Sequence, residues 1–142
     1  GLDVSTESQL QVVGDALARL KGAGIRTSLF IDPTPEAIQA SLELGAHAIE
    51  LHTGEYANTE GADRARELDR LIRASSLASE LGLAVHAGHG LTYENVQPVA
   101  AIPEIEELNI GHSVIARAVL TGMERSVKDM SKILRRARRP QR

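Results

Sequence analysis

Cysteine is absent from this chain of 142 residues, which excludes a disulfide framework and a thiolate zinc site and fits a reducing cytosol. Tryptophan is absent too, and Phe30, Tyr56 and Tyr93 are the only aromatics. The core must therefore come from Leu, Ile, Val and Ala, the usual filling of helix-covered parallel sheets. So few rings also argue against a binder of single-stranded nucleic acid, which needs stacking platforms. No apolar run approaches the ~18 residues of a membrane span, and no signal peptide is visible. Charge of one sign is missing as well. The formal net charge is −3, which recommends neither nucleic acid nor membrane as a partner. The only basic block, Arg135, Arg136, Arg138, Arg139 and Arg142, reads as a solvated helix end whose cations suit the helix dipole, with residues 138–142 as a basic tail.

What is present suits one domain or a large piece of one: 42% of residues are hydrophobic, enough to bury a core. From about Thr6 to Leu20, the residues Leu10, Val13, Leu17 and Leu20 fall on one helical face, and Lys21-Gly22-Ala23-Gly24 supplies a glycine cap. Ile25 to Ile31 reads as a strand stopped by Asp32-Pro33. Thr34 as N-cap and Pro35 at the first helical position then open a short helix through Leu44, closed by Gly45. Ala46 to His52 is the second strand, with Glu50 and His52 on one face and Ile49 and Leu51 on the other. After Thr53-Gly54 a polar loop leads to a helix from about Ala62 to Leu81. Leu83 to Ala87 is the third strand, Glu94 to Ala101 a short helix and Glu107 to Ile110 the fourth strand. One long helix from about Ser113 to Arg138 ends the pattern. Strands alternating with helices imply parallel pairing through right-handed crossovers, hence an α/β sheet or barrel.

Polar residues collect where the predicted strands end: Asp32, Glu50, His52, Thr53, His89, Asn109 and His112. In a barrel that rim is where the active site is built, although four strands cannot close a barrel of eight. Val85-His86-Ala87-Gly88-His89-Gly90-Leu91-Thr92 and Leu108-Asn109-Ile110-Gly111-His112-Ser113 share one formula, an apolar strand running into glycine and histidine. Bare amides and a helix N-terminus at such corners attract an anion, and two corners side by side would make one phosphate pocket. The same glycines also serve as tight turns, so spacing leaves both readings open. His89 is placed to act as general acid or base, histidine being the residue type that titrates near neutrality, or else merely to hydrogen-bond within a turn. Glu50, facing a barrel interior, would be a carboxylate in need of a partner, and a structural role is equally open to it. His47 and His86 read as structural. Glu50, His52, His86, His89 and His112 can also be assembled on paper into a hydrolase metal site. His86 and His89, three apart across a strand end, are expected to diverge, so no metal is expected.

Five stretches carry a more specific signal: Gly24-Ile25-Arg26-Thr27-Ser28-Leu29-Phe30-Ile31-Asp32, Ile49-Glu50-Leu51-His52-Thr53-Gly54, Ala87-Gly88-His89-Gly90-Leu91-Thr92-Tyr93, Ala101-Ile102-Pro103-Glu104 and Glu107-Leu108-Asn109-Ile110-Gly111-His112. In this order and at this spacing they resemble the pyridoxine 5'-phosphate synthases of bacterial vitamin B6 biosynthesis, over all of the chain except the arginine tail. The resemblance implies a TIM (β/α)8 barrel of which residues 1–142 form a single partial domain, strands five to eight with their helices. Roughly a hundred residues of a ~250-residue barrel would then lie elsewhere. This agrees with a chain that opens on Gly1 and runs directly into a helical pattern; a split gene, a truncation and processing are all open.

The implied reaction is the ring-closing condensation of 3-amino-2-oxopropyl phosphate with 1-deoxy-D-xylulose 5-phosphate to pyridoxine 5'-phosphate, inorganic phosphate and water, without metal or organic cofactor, in the cytoplasm. Carried over motif by motif, His89 takes the proton-donor role and Glu50 that of the transition-state-stabilising carboxylate. Gly90, Gly111 and His112 take the contacts to the aminoketone phosphate. The family implies a homo-octamer assembled as a tetramer of dimers. Its other proton-accepting histidine and glutamate, and the grip on deoxyxylulose phosphate, belong to the half that is not in this sequence. The 142 residues alone are therefore expected to show no turnover and to expose strand edges that need cover. Competing expectations are another phosphate-substrate barrel enzyme of thiamin- or tryptophan-pathway type, a non-catalytic half-barrel that keeps one phosphate site, and the metal-dependent hydrolase.

Overall fold

The computed structural model describes residues 1–4 and 6–138. Among them the chain folds as α1 (Glu7–Gly22), β1 (Ser28–Ile31), α2 (Pro35–Glu43), β2 (Ala48–His52), α3 (Gly54–Asn58), α4 (Gly61–Glu80), β3 (Ala84–Gly88), α5 (Val96–Ala100), β4 (Ile105–Asn109), α6 (His112–Thr121) and α7 (Met123–Ala137). The four strands pair in sequence order and all in parallel, the α/β arrangement that the alternating pattern predicts. Capping matches the sequence at α2, where Thr34 Oγ1 accepts the Ala37 amide at 3.2 Å behind Pro35.

Alternation along each strand decides which face is buried. Leu29, Ile31, Ile49, Leu51, Val85, Ala87 and Ile105 are buried and share a core with Ile38 of α2, Leu71 of α4 and Val96 and Val99 of α5. The residues between them, Phe30, Glu50, His52 and His86, remain only half-buried. The helices thus cover one face of the sheet, and the opposite face carries the polar side chains.

β2, α5 and β4 have bounds shifted by one or two residues from the sequence expectation, β4 spanning Ile105–Asn109 rather than Glu107–Ile110, and three further elements differ more. The first strand begins at Ser28 rather than Ile25, because the Thr27 carbonyl accepts the amides of both His47 and Ala48, and its own amide donates to His47 Nδ1 at 3.2 Å. The regular ladder can start only beyond that knot, and His47 has the structural role its position suggested. The polar loop after Thr53 holds a five-residue helix, α3, too short to show a period in the sequence. The single C-terminal helix is two helices. Gly122 adopts φ +83°, outside the helical region, so α7 folds back on α6.

A buried clasp fixes that hairpin. The Ser126 hydroxyl donates to the Val114 carbonyl at 2.6 Å, which leaves its oxygen to accept from the Tyr93 hydroxyl at 2.7 Å. The Arg117 guanidinium lies 4.7 Å from the Tyr93 ring centroid and bonds Asp129 at 2.9 Å; that bond holds the Asp129 carboxyl below its ordinary range. Arg138 donates to the carbonyls of Pro103 and Ile105 at the start of β4. Arg135, Arg136 and Arg138 all remain exposed, as a solvated helix end would be, and the rest of the expected basic tail, residues 139–142, lies outside the described residues. On α6 the side chains of Ile115, Val119 and Leu120 stay exposed. No described helix is long and apolar enough to cross a membrane.

Tyr93→Phe removes the donor that satisfies Ser126 and keeps the ring under Arg117. It should cost about 1 kcal/mol of stability, the usual worth of one such bond, read as a lower urea midpoint at unchanged slope.

Candidate active site

Parallel register brings the strand ends to one level. Phe30 pairs with Glu50, Glu50 with His86, His52 with Gly88, and Gly88 with Asn109. Because Gly88 has no side chain, Asn109 on β4 reaches across β3 and donates from Nδ2 to Glu50 Oε2 at 2.8 Å. A Cβ on Gly88 would run into Glu50 Oε1 and would stand 3.0 Å from the Asn109 carbonyl oxygen. The glycine is needed here for close approach rather than for backbone freedom. The partner that Glu50 needs is thus the side-chain amide of Asn109.

Beyond β3 the chain turns through two consecutive left-handed residues, His89 at φ +82° and Gly90 at φ +75°. Such a conformation costs a non-glycine residue on the order of 1–3 kcal/mol and persists only when its surroundings impose it. Side chains seize the carbonyls of this turn one after another. The buried Thr53 hydroxyl approaches the Gly88 and His89 oxygens at 2.7 and 2.5 Å, Asn95 Nδ2 donates to Gly90 O at 3.2 Å, and Ser113 Oγ donates to Leu91 O at 2.8 Å. In a trans peptide the N–H points opposite to the preceding C=O. Carbonyls held from behind therefore turn the Gly90 and Leu91 amides the other way. Thr92 N–H is taken by Asn95 Oδ1 at 2.7 Å.

The two glycine-histidine corners line one cleft of about 710 Å³, with His89, Gly90, Leu91 and Thr92 from the first and Asn109, Ile110, Gly111, His112 and Ser113 from the second. Phe30 and Glu50 line it as well. The five residues singled out from the sequence, Glu50, His89, Gly90, Gly111 and His112, all border this space. The Gly111 end is also the N-terminus of α6, whose first amides have no helical partner. His86, although opposite Glu50 in the ladder, borders a different hollow, with Arg26, Glu106 and Glu107. Among the described residues no group of three or more His, Cys, Asp or Glu side chains is arranged to hold a metal ion. Phe30 and Asn109 were not identified as site residues from the sequence. Asn109 was visible there as a polar strand end, but its reach over Gly88 depends on register.

His52 stands next to His89, ring centroids 4.8 Å apart, with Phe30 edge-on at 5.2 Å. Gly54 makes room for it, since a Cβ there would come within 2.8 Å of His52 Nε2. Burial above all, with His89 in support, pushes the His52 pKa below its ordinary 6.5, and the exposed Asp32 carboxylate, 3.5 Å from Nδ1, opposes this only in part. Below pH 6.5 the unfolded chain then binds more protons at this position than the folded one. The associated stability is complete above pH 6.5 and is lost as pH falls toward the depressed folded value. The His52→Gln variant should flatten the decline in urea midpoint between pH 7 and 5, and an NMR titration of the wild type should place the His52 midpoint below 6.5.

With the geometry in hand, known proteins identify the lineage. The family model described as pyridoxal phosphate biosynthesis protein PdxJ matches residues 1–136. The chain is similar to the pyridoxine 5'-phosphate synthase of Magnetococcus marinus, 54% identical over 142 residues, covering 95% of this chain and 58% of that protein. It is also similar to the proteins of the same name from Sulfurihydrogenibium sp., 52% identical over 96% of this chain and 59% of the relative, and from Synechococcus sp., 53% identical over 90% and 56%. The chain thus spans somewhat under three-fifths of the length of the curated relatives it matches. Strands, cleft and matched residues lead to one conclusion: this chain belongs to the PdxJ family of pyridoxal phosphate biosynthesis proteins.

Proposed function

We propose that this chain is the C-terminal part, strands five to eight, of a (β/α)8-barrel pyridoxine 5'-phosphate synthase. In the whole protein it joins 3-amino-2-oxopropyl phosphate to 1-deoxy-D-xylulose 5-phosphate with release of inorganic phosphate and water. The observation that carries this reading is the single cleft in which a carboxylate, an imidazole and two glycine corners meet at the C-terminal ends of parallel strands. Such a rim is where barrel enzymes do their chemistry, and the loops after the last two strands are a frequent phosphate site. The outer edge of β1 supports the barrel reading: Phe30 O accepts the Leu2 amide at 2.6 Å, so a further stretch of chain already lies where a preceding strand would pair.

Each residue has a task in this chemistry. The amides of Gly90 and of the Gly111–His112 corner receive the aminoketone's phosphate, with the α6 dipole in support. Condensation of amine with ketone, loss of water and phosphate, and carbon–carbon closure all require protons delivered at fixed positions. His89, exposed at the cleft, is the donor. Glu50, held by Asn109, favours the positive charge that develops as the imine nitrogen is protonated. No metal or organic cofactor enters this scheme. The exposed apolar residues of α6 support assembly with neighbouring subunits, in the octamer that the family resemblance implies, and the reaction belongs to the cytoplasm.

The test is an assay of the complete polypeptide with both substrates, following pyridoxine 5'-phosphate by chromatography. His89→Asn should lower kcat by about 10²- to 10⁴-fold, the usual worth of a positioned acid, and Glu50→Gln should lower it with little change in KM. A non-catalytic phosphate-binding half-barrel predicts instead phosphate-ester binding and no effect of His89→Asn on it. The 142 residues on their own should give no turnover, since the grip on deoxyxylulose phosphate lies in the remainder of the protein; full activity from them would overturn the proposal.

A further inference from the structure

We propose that Thr53 is a positioning residue for His89: its buried hydroxyl imposes the left-handed turn that aims the imidazole and the Gly90 amide into the cleft. The inference rests on the function proposed above for His89, and it begins from a side chain whose conventional role is vacant. Thr53 is the N-cap residue of α3, a position where threonine ordinarily accepts an amide of the first turn. Here it makes no side-chain cap. Its backbone φ is −99° and ψ 13°, away from the extended geometry that capping uses.

The hydroxyl is spent elsewhere. Its hydrogen is shared between Gly88 O at 2.7 Å and His89 O at 2.5 Å, while the Thr53 amide also donates to Gly88 O at 2.9 Å. Thr53 is completely buried, so water cannot substitute for these contacts. The His89 carbonyl would otherwise lose its partner together with the one side chain that holds the peptide plane after His89. The hydroxyl holds the peptide planes on both sides of His89: the plane before it sets the positive φ, and the plane after it sets the direction of the Gly90 amide. Releasing both would let His89 relax toward the common β or αR regions, swing its imidazole away, and turn the Gly90 amide from the cleft toward the protein interior.

Gly54, directly after Thr53, accommodates the His52 ring beside His89. Thr53 and Gly54 therefore shape the space around the donor histidine from behind without bordering the cleft. The proposal separates the two properties of threonine, since valine keeps its shape and serine keeps its hydroxyl.

Thr53→Val and Thr53→Ser should be made in the complete protein. The expected result for Thr53→Val is a native-like circular dichroism spectrum, displaced NMR signals of the His89 ring and Gly90 amide, and a kcat lower by on the order of 10- to 100-fold, the scale of a small misplacement of a reacting group. Its KM should change much less. Thr53→Ser should restore both the signals and most of kcat. Wild-type NMR signals and kcat in folded Thr53→Val would overturn the proposal, as would failure of Thr53→Ser to restore them. Should Thr53→Val not fold, Thr53→Ser together with Thr53→Ala decides by the same signals. Absence of pyridoxine 5'-phosphate formation in the wild type would defeat the functional reading alone, because the His89 and Gly90 signals report the turn without turnover.

Discussion

The missing side chain at Gly88 is the constraint on which the cleft depends. β3 lies between the strand that carries the carboxylate and the strand that carries its amide partner. Any Cβ at that register position would occupy the space through which Asn109 reaches Glu50. An empty position on a central strand weakens the sheet locally, and here it joins two strands that do not touch in the ladder. The ladder itself continues through Gly88, whose carbonyl takes both the amide and the hydroxyl of Thr53.

From that point the structure alternates rigid and exposed parts. The side of the sheet under the helices is closely filled by aliphatic residues, so strand ends are held to a common level and their polar residues cannot drift. Over them lies a turn with two left-handed residues, whose carbonyls are held by Thr53 and Asn95, while Ser113 holds the next one, Leu91 O. Anchoring carbonyls is an economical way to orient amides, because a planar peptide ties the one to the other. The side chains that do this come from three different stretches of chain, so the turn is set by tertiary contacts and not by its own residues.

The C-terminal hairpin follows the same logic. Gly122 breaks an otherwise continuous helical pattern, and Tyr93, at the far side of the glycine turn, meets Ser126 and Arg117 to hold α7 against the body of the fold. The His112 end of α6 is thereby kept beside the His89 turn, also through Ser113 and Leu91. Shape around the cleft and attachment of the last two helices share one set of buried polar contacts.

By itself the sequence determined the order and type of the main elements, the parallel pairing and the buried alternation of Ile49 and Leu51 against Glu50 and His52, because periodicity and capping are local properties that neighbouring residues impose on one another. It also determined the lineage, through the stretches around Glu50, His89 and His112. Tertiary structure alone decided that Asn109 partners Glu50, that His86 borders a different hollow from Glu50 and that His52 stands against His89. It alone decided that the exposed Arg138 bonds the carbonyls of Pro103 and Ile105. Each of these depends on strand register or on contacts between residues far apart in the chain. Register is a property of pairs of strands, whereas a sequence pattern reports only what one segment prefers.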